Sequence, residues 1–366
     1  MARLRDFGVT PGFLPTGPLN AITDVPGVLV GHVTLVEGAG PLKPGAGPIR
    51  TGATAILPHG GNLFRWKVSA GVQTINGFGK ACGFEQIRER GVIETPILLT
   101  NTLNVGRVAD AVTAYMLRAN PDIGITTSTV NPVVAECNDG FLNDIQGRHV
   151  QQEHVWQAIE TAASGPVAEG NTGAGTGTAC FQFKGGIGTA SRIVLDGQFT
   201  VGALIQSNYG TRRELRVLGA PIGQHFLDTH LPQPGPGSVN IVLATDAPLD
   251  SRQLTRLAMR AAFGLARTGT FCADGSGDFA LAFSTANHWA HEPAEPVEQV
   301  TRFTESKIDE LFAAAVEATE EALLNSLVAA ETMTGRDGNT LHAIPHDRLA
   351  ELLAYYHLTG NSGPRP

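Results

Sequence analysis

Short apolar runs separated by turn residues fill the first two-thirds of the chain. Runs rich in β-branched residues, bounded by Gly, Pro, Asn or Asp, predict strands over 28–30, 53–57, 97–99, 123–125, 179–183, 193–195 and 202–206. Helical spacing interrupts them. Val108, Val112, Tyr115 and Met116 form one stripe of a helix over 107–118, and Val155, Ile159 and Ala162 do the same over 151–163. Residues 231–237 hold three prolines and two glycines, a composition that continues neither a helix nor a central strand. Beyond this break the elements lengthen. A strand is expected over 238–245, then a helix over 251–267 capped by Asp250, with Leu254, Leu257, Ala258, Ala261 and Leu265 at helical spacing. A strand over 279–283 and a long helix over 308–327 follow, and residues 361–366 read as a frayed tail. Strands and helices mix without a regular βαβ rhythm, which predicts an α+β fold.

Composition narrows the class. The 366 residues suit one large domain or two ordinary ones. Hydrophobic residues make up 42%, enough for a large core, and charged residues only 16%, below the usual ~25%. Glycine, at 44 residues, is about one in eight against a norm of ~7%, so many backbone positions are special. The net charge of −8 comes without a basic stripe and argues against nucleic acid as a partner. No apolar run reaches the ~18 residues of a membrane-spanning helix. Residues 1–6 lack an apolar signal region after their charges, so a cytoplasmic location is expected. Cys82, Cys137, Cys180 and Cys272 are far apart with no CxxC pair, and read as reduced, mostly buried thiols.

Several motifs carry both a chemical and a plain reading. Gly173-Ala174-Gly175-Thr176-Gly177 resembles a dinucleotide fingerprint, but it leads into a strand rather than a helix, so a tight turn is expected. Lys184-Gly185-Gly186-Ile187-Gly188 lacks the order of a phosphate loop. His288 and His291 stand three apart beside Pro293 and Pro296, which predicts surface histidines on a loop rather than a metal site. Glu136, Asp139 and Asp144 cluster closely enough to hold a cation or a substrate amine, or to form an ordinary polar turn. Gly237-Ser238 is the sharpest feature: a serine opening an apolar strand behind an unusual segment. That placement suits attack of Ser238 Oγ on the Gly237 carbonyl, or a simple loop-to-strand turn. Glycine removes the side chain that would crowd the attack. The product would be a serine whose own α-amine, with a pKa of about 7.7–8.0, serves as its base.

Taken together, segments 20–28, 51–58, 75–79, 99–103, 173–177, 184–189, 206–210, 244–248, 275–278 and 333–338, with Gly237-Ser238, resemble the self-processing serine aminopeptidases. That family includes the L-aminopeptidase/D-esterase-amidases and the β-peptidyl aminopeptidases. The segments follow the family's order and span most of the chain. The resemblance implies a single αββα sandwich over 1–366, of N-terminal-nucleophile type with a distinct topology. It implies cleavage at Gly237-Ser238 into chains 1–237 and 238–366 that stay associated, and assembly of such heterodimers into larger oligomers. Ser238 matches the nucleophile and Asn208 an oxyanion donor. Ser276 and Asp278 match the pair that orients the Ser238 amine, and Glu136 the carboxylate that receives the substrate's ammonium. Some relatives carry tyrosine where this chain has Asn138, so a phenol's part in substrate choice is missing here. The implied substrates are short peptides, amides or esters, with no metal or organic cofactor. A polyamide hydrolase or acyltransferase on the same fold, and an uncleaved non-catalytic relative, are the alternatives; serine rather than threonine at 238 argues against the first two.

Overall fold

The computed structural model describes residues 2–234 and 237–360, so Met1, the tail 361–366 and two residues of the proline-rich break lie outside it. In chain order the strands and helices are β1 (Leu29–Glu37), β2 (Ile49–Leu57), β3 (Trp66–Gly77), α1 (Phe84–Arg90), β4 (Val92–Ile93), β5 (Ile97–Asn101), α2 (Val105–Ala119), β6 (Val133–Cys137) and α3 (Gln152–Glu160). Then come β7 (Ala179–Cys180), β8 (Phe183–Lys184), β9 (Ile187–Val194), β10 (Phe199–Asn208), β11 (Ser238–Thr245), α4 (Ser251–Arg267), β12 (Gly277–Ala290), α5 (Asp309–Val328), β13 (Met333–Thr334), β14 (Thr340–Leu341) and α6 (His346–Tyr355).

Two sheets face each other. The front sheet has the order β1-β2-β5-β6 and the back sheet β4-β3-β12-β11-β10-β9. Alternation along the strands builds three apolar layers. Val242 and Ala244 of β11, Leu204 of β10 and Val133 and Ala135 of β6 meet between the sheets. Val239, Ile241 and Leu243 of β11 point the other way, onto α4 and α5. Val134 of β6 and Ala53 and Ala55 of β2 face α2 and α3. The layers therefore run helix, sheet, sheet, helix, the expected αββα sandwich of α+β class. Strand β11 lies inside the back sheet, antiparallel to β10 and parallel to β12.

Helix α4 spans the predicted residues, and Asp250 Oδ1 caps it by accepting the Gln253 N–H at 2.8 Å. Two strand predictions fail. Residues 123–125 form a turn in which the Ile125 and Thr126 N–H groups both return to the Asp122 carbonyl. Residues 179–183 are a hairpin, not a strand: Phe181 and Gln182 both take positive φ, 49° and 59°, and reverse the chain. That reversal is held by tertiary partners. Phe181 N–H donates to the Tyr209 carbonyl at 2.7 Å, and Arg212 Nε donates to the Phe181 carbonyl at 3.0 Å.

Strand β3, although Val68, Ala70 and Val72 alternate along it, and most of β9 lie outside the predicted strands. Their second faces are polar or glycine yet covered. A Cβ on Gly71 would fall 2.3 Å from the Thr255 backbone nitrogen of α4. Arg192 of β9 is wholly buried, its Nε 2.9 Å from Glu317 and its Nη2 2.7 Å from Glu321 of α5. Paired charges let a polar face lie inside.

Candidate active site

Ser238 opens β11, Asn208 ends β10, and the two are register partners; on the other side Ser238 pairs with Gly277 of β12. Ser238 is only 4% exposed, and its Oγ has no hydrogen-bond partner among the described residues. The neighbouring Cys137 thiol is pushed well up by burial, which keeps it protonated.

Asn208 is oriented by the hairpin that the sequence misjudged. The Ala179 N–H of β7 donates to Asn208 Oδ1 at 2.9 Å, and a donor N–H admits only the oxygen end of the amide there. Lys184 holds the same turn region: its buried Nζ donates to the carbonyls of Gly175, Thr178 and Gly185 at 3.0, 2.9 and 2.5 Å. The two glycine-rich motifs are thus structural, packed backbone on backbone; a Cβ at Gly175 would lie 2.6 Å from Gly186.

Ser276 and Asp278 meet directly. Ser276 Oγ donates to Asp278 Oδ1 at 2.6 Å, while Asp278 Oδ2 is buried without a partner among the described residues. Burial raises the Asp278 pKa, and the Ser276 hydroxyl, the Cys272 thiol and the Val239 N–H pull it partly back. Burial and the Asp278 charge push the Cys272 thiol up to about 12. Asn76 of β3, a residue to which sequence reasoning gave no role, secures this loop: its Nδ2 donates to the carbonyls of Ala273 and Asp274 at 3.0 Å and of Ser276 at 2.5 Å.

Glu136 sits near the end of β6, 2% exposed. Its Oε1 accepts the Lys80 N–H at 2.9 Å and its Oε2 accepts the Thr102 hydroxyl. Gly79 ties it to the nucleophile's neighbourhood. A Cβ there would fall 3.3 Å from Glu136 Oε1 and 2.9 Å from the Cα of Gly277, the partner of Ser238. The rest of the carboxylate cluster does other work. Asp144 Oδ2 accepts the Gly45 and Gly47 N–H groups at 2.8 and 3.1 Å and bonds His149, and Asp139 accepts from Asn143 Nδ2 at 3.0 Å. Asn138 is exposed and turns its Oδ1 onto the Gly140 N–H.

At Gly237 space alone demands glycine, because a Cβ would lie 2.6 Å from Tyr209 Cα and 2.7 Å from the Asn208 carbonyl oxygen. Of the histidine pair, His291 lies past the strand end as predicted and His288 does not. Strand β12 runs through His288 to Ala290, and the His288 ring lies 4.8 Å from that of His59. Among the described residues no group of three or more His, Cys, Asp and Glu side chains is arranged to hold a metal ion. A cavity of about 630 Å³, lined by Lys67, Glu94, Asp250, Trp289 and His291, opens at the other end of β3 and β12, away from the Gly77–Gly277 pair beside Ser238.

Two facing sheets between helical layers, with a serine opening an inner strand beside an asparagine and a serine–aspartate pair, define a hydrolase of the N-terminal-nucleophile type. The sequence profile of Peptidase family S58 matches residues 20–341, and the chain belongs to that family. It is 47% identical over 371 residues to the beta-peptidyl aminopeptidase BapA of Sphingosinicella microcystinivorans, covering 97% of this chain and 92% of that one. A solved structure of a Burkholderia sp. beta-aminopeptidase is 44% identical with a TM-score of 0.90, over 100% of both chains. The L-aminopeptidase D-Ala-esterase/amidase of Ochrobactrum anthropi, described as a prototype for the serine aminopeptidases and a new variant of the Ntn hydrolase fold, is 42% identical with a TM-score of 0.91, over 98% of this chain and 100% of that one. This protein is a serine aminopeptidase with that variant of the fold.

Proposed function

We propose that the protein cuts itself between Gly237 and Ser238 and then removes N-terminal residues, β-amino acids among them, from short peptides and amides. Ser238 Oγ attacks the Gly237 carbonyl, the acyl group moves from nitrogen to oxygen, and water cleaves the ester. The freed α-amine takes the hydroxyl proton in each later turnover. The substrate's ammonium rests on Glu136, and its carbonyl is attacked by Ser238 Oγ. Asn208 Nδ2 faces the oxyanion, the leaving amine departs protonated, and water releases the acyl group. No metal or organic cofactor enters.

The observation that carries this reading is the Asn208–Ser238 register pair, with Asn208 Oδ1 engaged by Ala179 so that Nδ2 is the end left for an oxyanion. The buried, unpartnered Asp278 Oδ2 agrees with it, since a newly made ammonium at Ser238 supplies a donor. Cleaved chains 1–237 and 238–366 would stay together, because β11 lies between β10 of the first and β12 of the second. Oligomers of such heterodimers follow from the same reading.

Intact mass under denaturing conditions tests it. Two species that sum to the full chain plus one water are expected, and Ser238→Ala should give one uncut, inactive species. A full-length wild-type chain that turns over aminoacyl p-nitroanilides would overturn self-processing.

A further inference from the structure

Two pairs inward from Asn208 and Ser238, the β10–β11 ladder pairs Gln206 with Asn240. Alternation puts positions 206 and 208, and 238 and 240, on one face. That face looks toward the front sheet, since Leu204 and Val242, the next residues inward, lie in the layer between the sheets. Gln206 and Asn240 are 0% and 2% exposed, so their donors and acceptors look to the protein for partners; both Nδ2 of Asn240 and Nε2 of Gln206 find them, while Asn240 Oδ1 has none among the described residues.

Those partners are specific. Asn240 Nδ2 donates to Gln206 Oε1 at 3.1 Å and to the backbone carbonyl of Glu136 at 2.8 Å. Gln206 Nε2 donates to the backbone carbonyls of Thr100 at 3.0 Å and Ala174 at 2.8 Å. Thr100 and Glu136 are themselves register partners, in β5 and β6. One cross-strand pair of the back sheet is therefore bonded to one cross-strand pair of the front sheet. The Cys137 thiol adds a bond from β6 to the Gln206 backbone carbonyl at 3.5 Å.

Apolar side chains of similar volume would hold two sheets together as well. Amides add direction and a fixed length, which apolar contact does not. Asn240 stands two residues along the strand from Ser238 and one hydrogen bond from the backbone of Glu136. In the reading above, on which this inference rests, Ser238 takes the substrate's carbonyl and Glu136 its ammonium. The span between the two groups then decides how many carbons fit between amine and carbonyl: one in an α-aminoacyl unit, two in a β-aminoacyl unit.

We propose that the Gln206–Asn240 amide pair is a spacer that holds Glu136 at a set distance from Ser238 and thereby selects between α- and β-aminoacyl substrates. Both are positioning residues, acting through Glu136 and Ser238.

The test is kcat and KM for p-nitroanilides of an α-amino acid and of its β-homologue. It compares the wild type, Asn240→Ala, and Ile241→Val, whose side chain faces the helices. A displacement of about 1 Å in a site costs on the order of 10²-fold. Asn240→Ala is expected to change the β-to-α ratio of kcat/KM by about tenfold or more, chiefly through KM. Asn240→Asp, which keeps the shape and loses the donor, should move the ratio the same way, and Ile241→Val should leave it unchanged. A ratio preserved within about twofold in a folded Asn240→Ala protein overturns the spacer. Where that variant fails to fold or to cleave itself, Gln206→Met carries the same test. A wild type inert toward both substrates overturns the function proposed above and the spacer with it.

Discussion

Asn208 and Ser238 face one another as the terminal register pair of the β10–β11 ladder, and the Ala179 N–H fixes which end of the Asn208 amide is free. Removing an oxyanion donor of this kind costs about 2.7–4 kcal/mol of transition-state stabilisation. Asn208→Ala is therefore expected to lower kcat by roughly 10²–10³-fold with little change in KM. Asn208→Asp, which can still accept from Ala179 but sets a negative charge against the developing oxyanion, should lose at least as much. Steady-state kinetics on the self-cleaved fraction measures both.

Gly237 is packed against backbone on its open side, and the nearest atoms to an added Cβ, at 2.6–2.7 Å, cannot swing away as a flexible side chain would. Gly237→Ala must shift the scissile peptide relative to Ser238. Overpacking of this sort costs about 1–3 kcal/mol, and cleavage should slow by more than about tenfold. The uncut fraction over time, read by intact mass, gives the rate. Gly106 in α2 is the control, because an added Cβ there meets nothing within 4 Å. Gly106→Ala should leave cleavage alone and stabilise the fold by about 0.5–1 kcal/mol.

These two residues also mark what the sequence makes legible. Gly237-Ser238 stands out because proline and glycine break the pattern just before an apolar strand. The αββα layering follows from resemblance more than from periodicity. The turn at Phe181 and Gln182 was invisible, because nothing local prepares two non-glycine residues for positive φ; contacts with Tyr209 and Arg212 supply the reason. Strand β3 shows an apolar face at Val68, Ala70 and Val72, but the sequence does not show that its polar and glycine face is covered by α4. Asn76, Gln206 and Asn240 looked like ordinary polar strand residues. Pairing of β3 with β12 turns Asn76 into a partner of the Ser276 loop, and the facing of two sheets brings Gln206 and Asn240 to the backbones of Thr100 and Glu136.

Glu136 has both oxygens engaged by Lys80 N–H and the Thr102 hydroxyl, so its orientation does not depend on substrate. Glu136→Gln keeps a similar shape and removes the charge. A charge-assisted hydrogen bond contributes about 1.5–3 kcal/mol, so KM for an aminoacyl p-nitroanilide should rise roughly 10- to 100-fold. Self-cleavage should proceed at the wild-type rate, because the Gly237 side of that bond carries no free amine. Comparing KM with the cleaved fraction in one preparation separates binding of the ammonium from damage to the nucleophile.

Asp139 links the site's surroundings to the pH dependence of stability. Burial pushes its pKa from 3.8 up to about 7, with Asn143 among the groups that limit the rise. Between those values the folded protein holds a proton that the unfolded chain has released, so stability falls as pH rises through the window and levels off above about 7. Lys184 acts in the opposite sense and in a different window. Burial lowers it from 10.5 to about 7, so its unfolded form holds the extra proton between those values and stability rises there with pH. Glu169 is also raised to about 7, but it is common to wild type and variant and cancels in their difference. Asp139→Asn removes the first slope and, because the Asp139 charge holds the Lys184 pKa up, lowers Lys184 further. Its urea midpoint relative to the wild type should climb from pH 4 to pH 7 and stay constant at pH 8, with a ceiling of about 4 kcal/mol on the Asp139 share of the swing. A difference that stays flat from pH 4 to pH 8 would mean that Asp139 is ionised in the fold throughout.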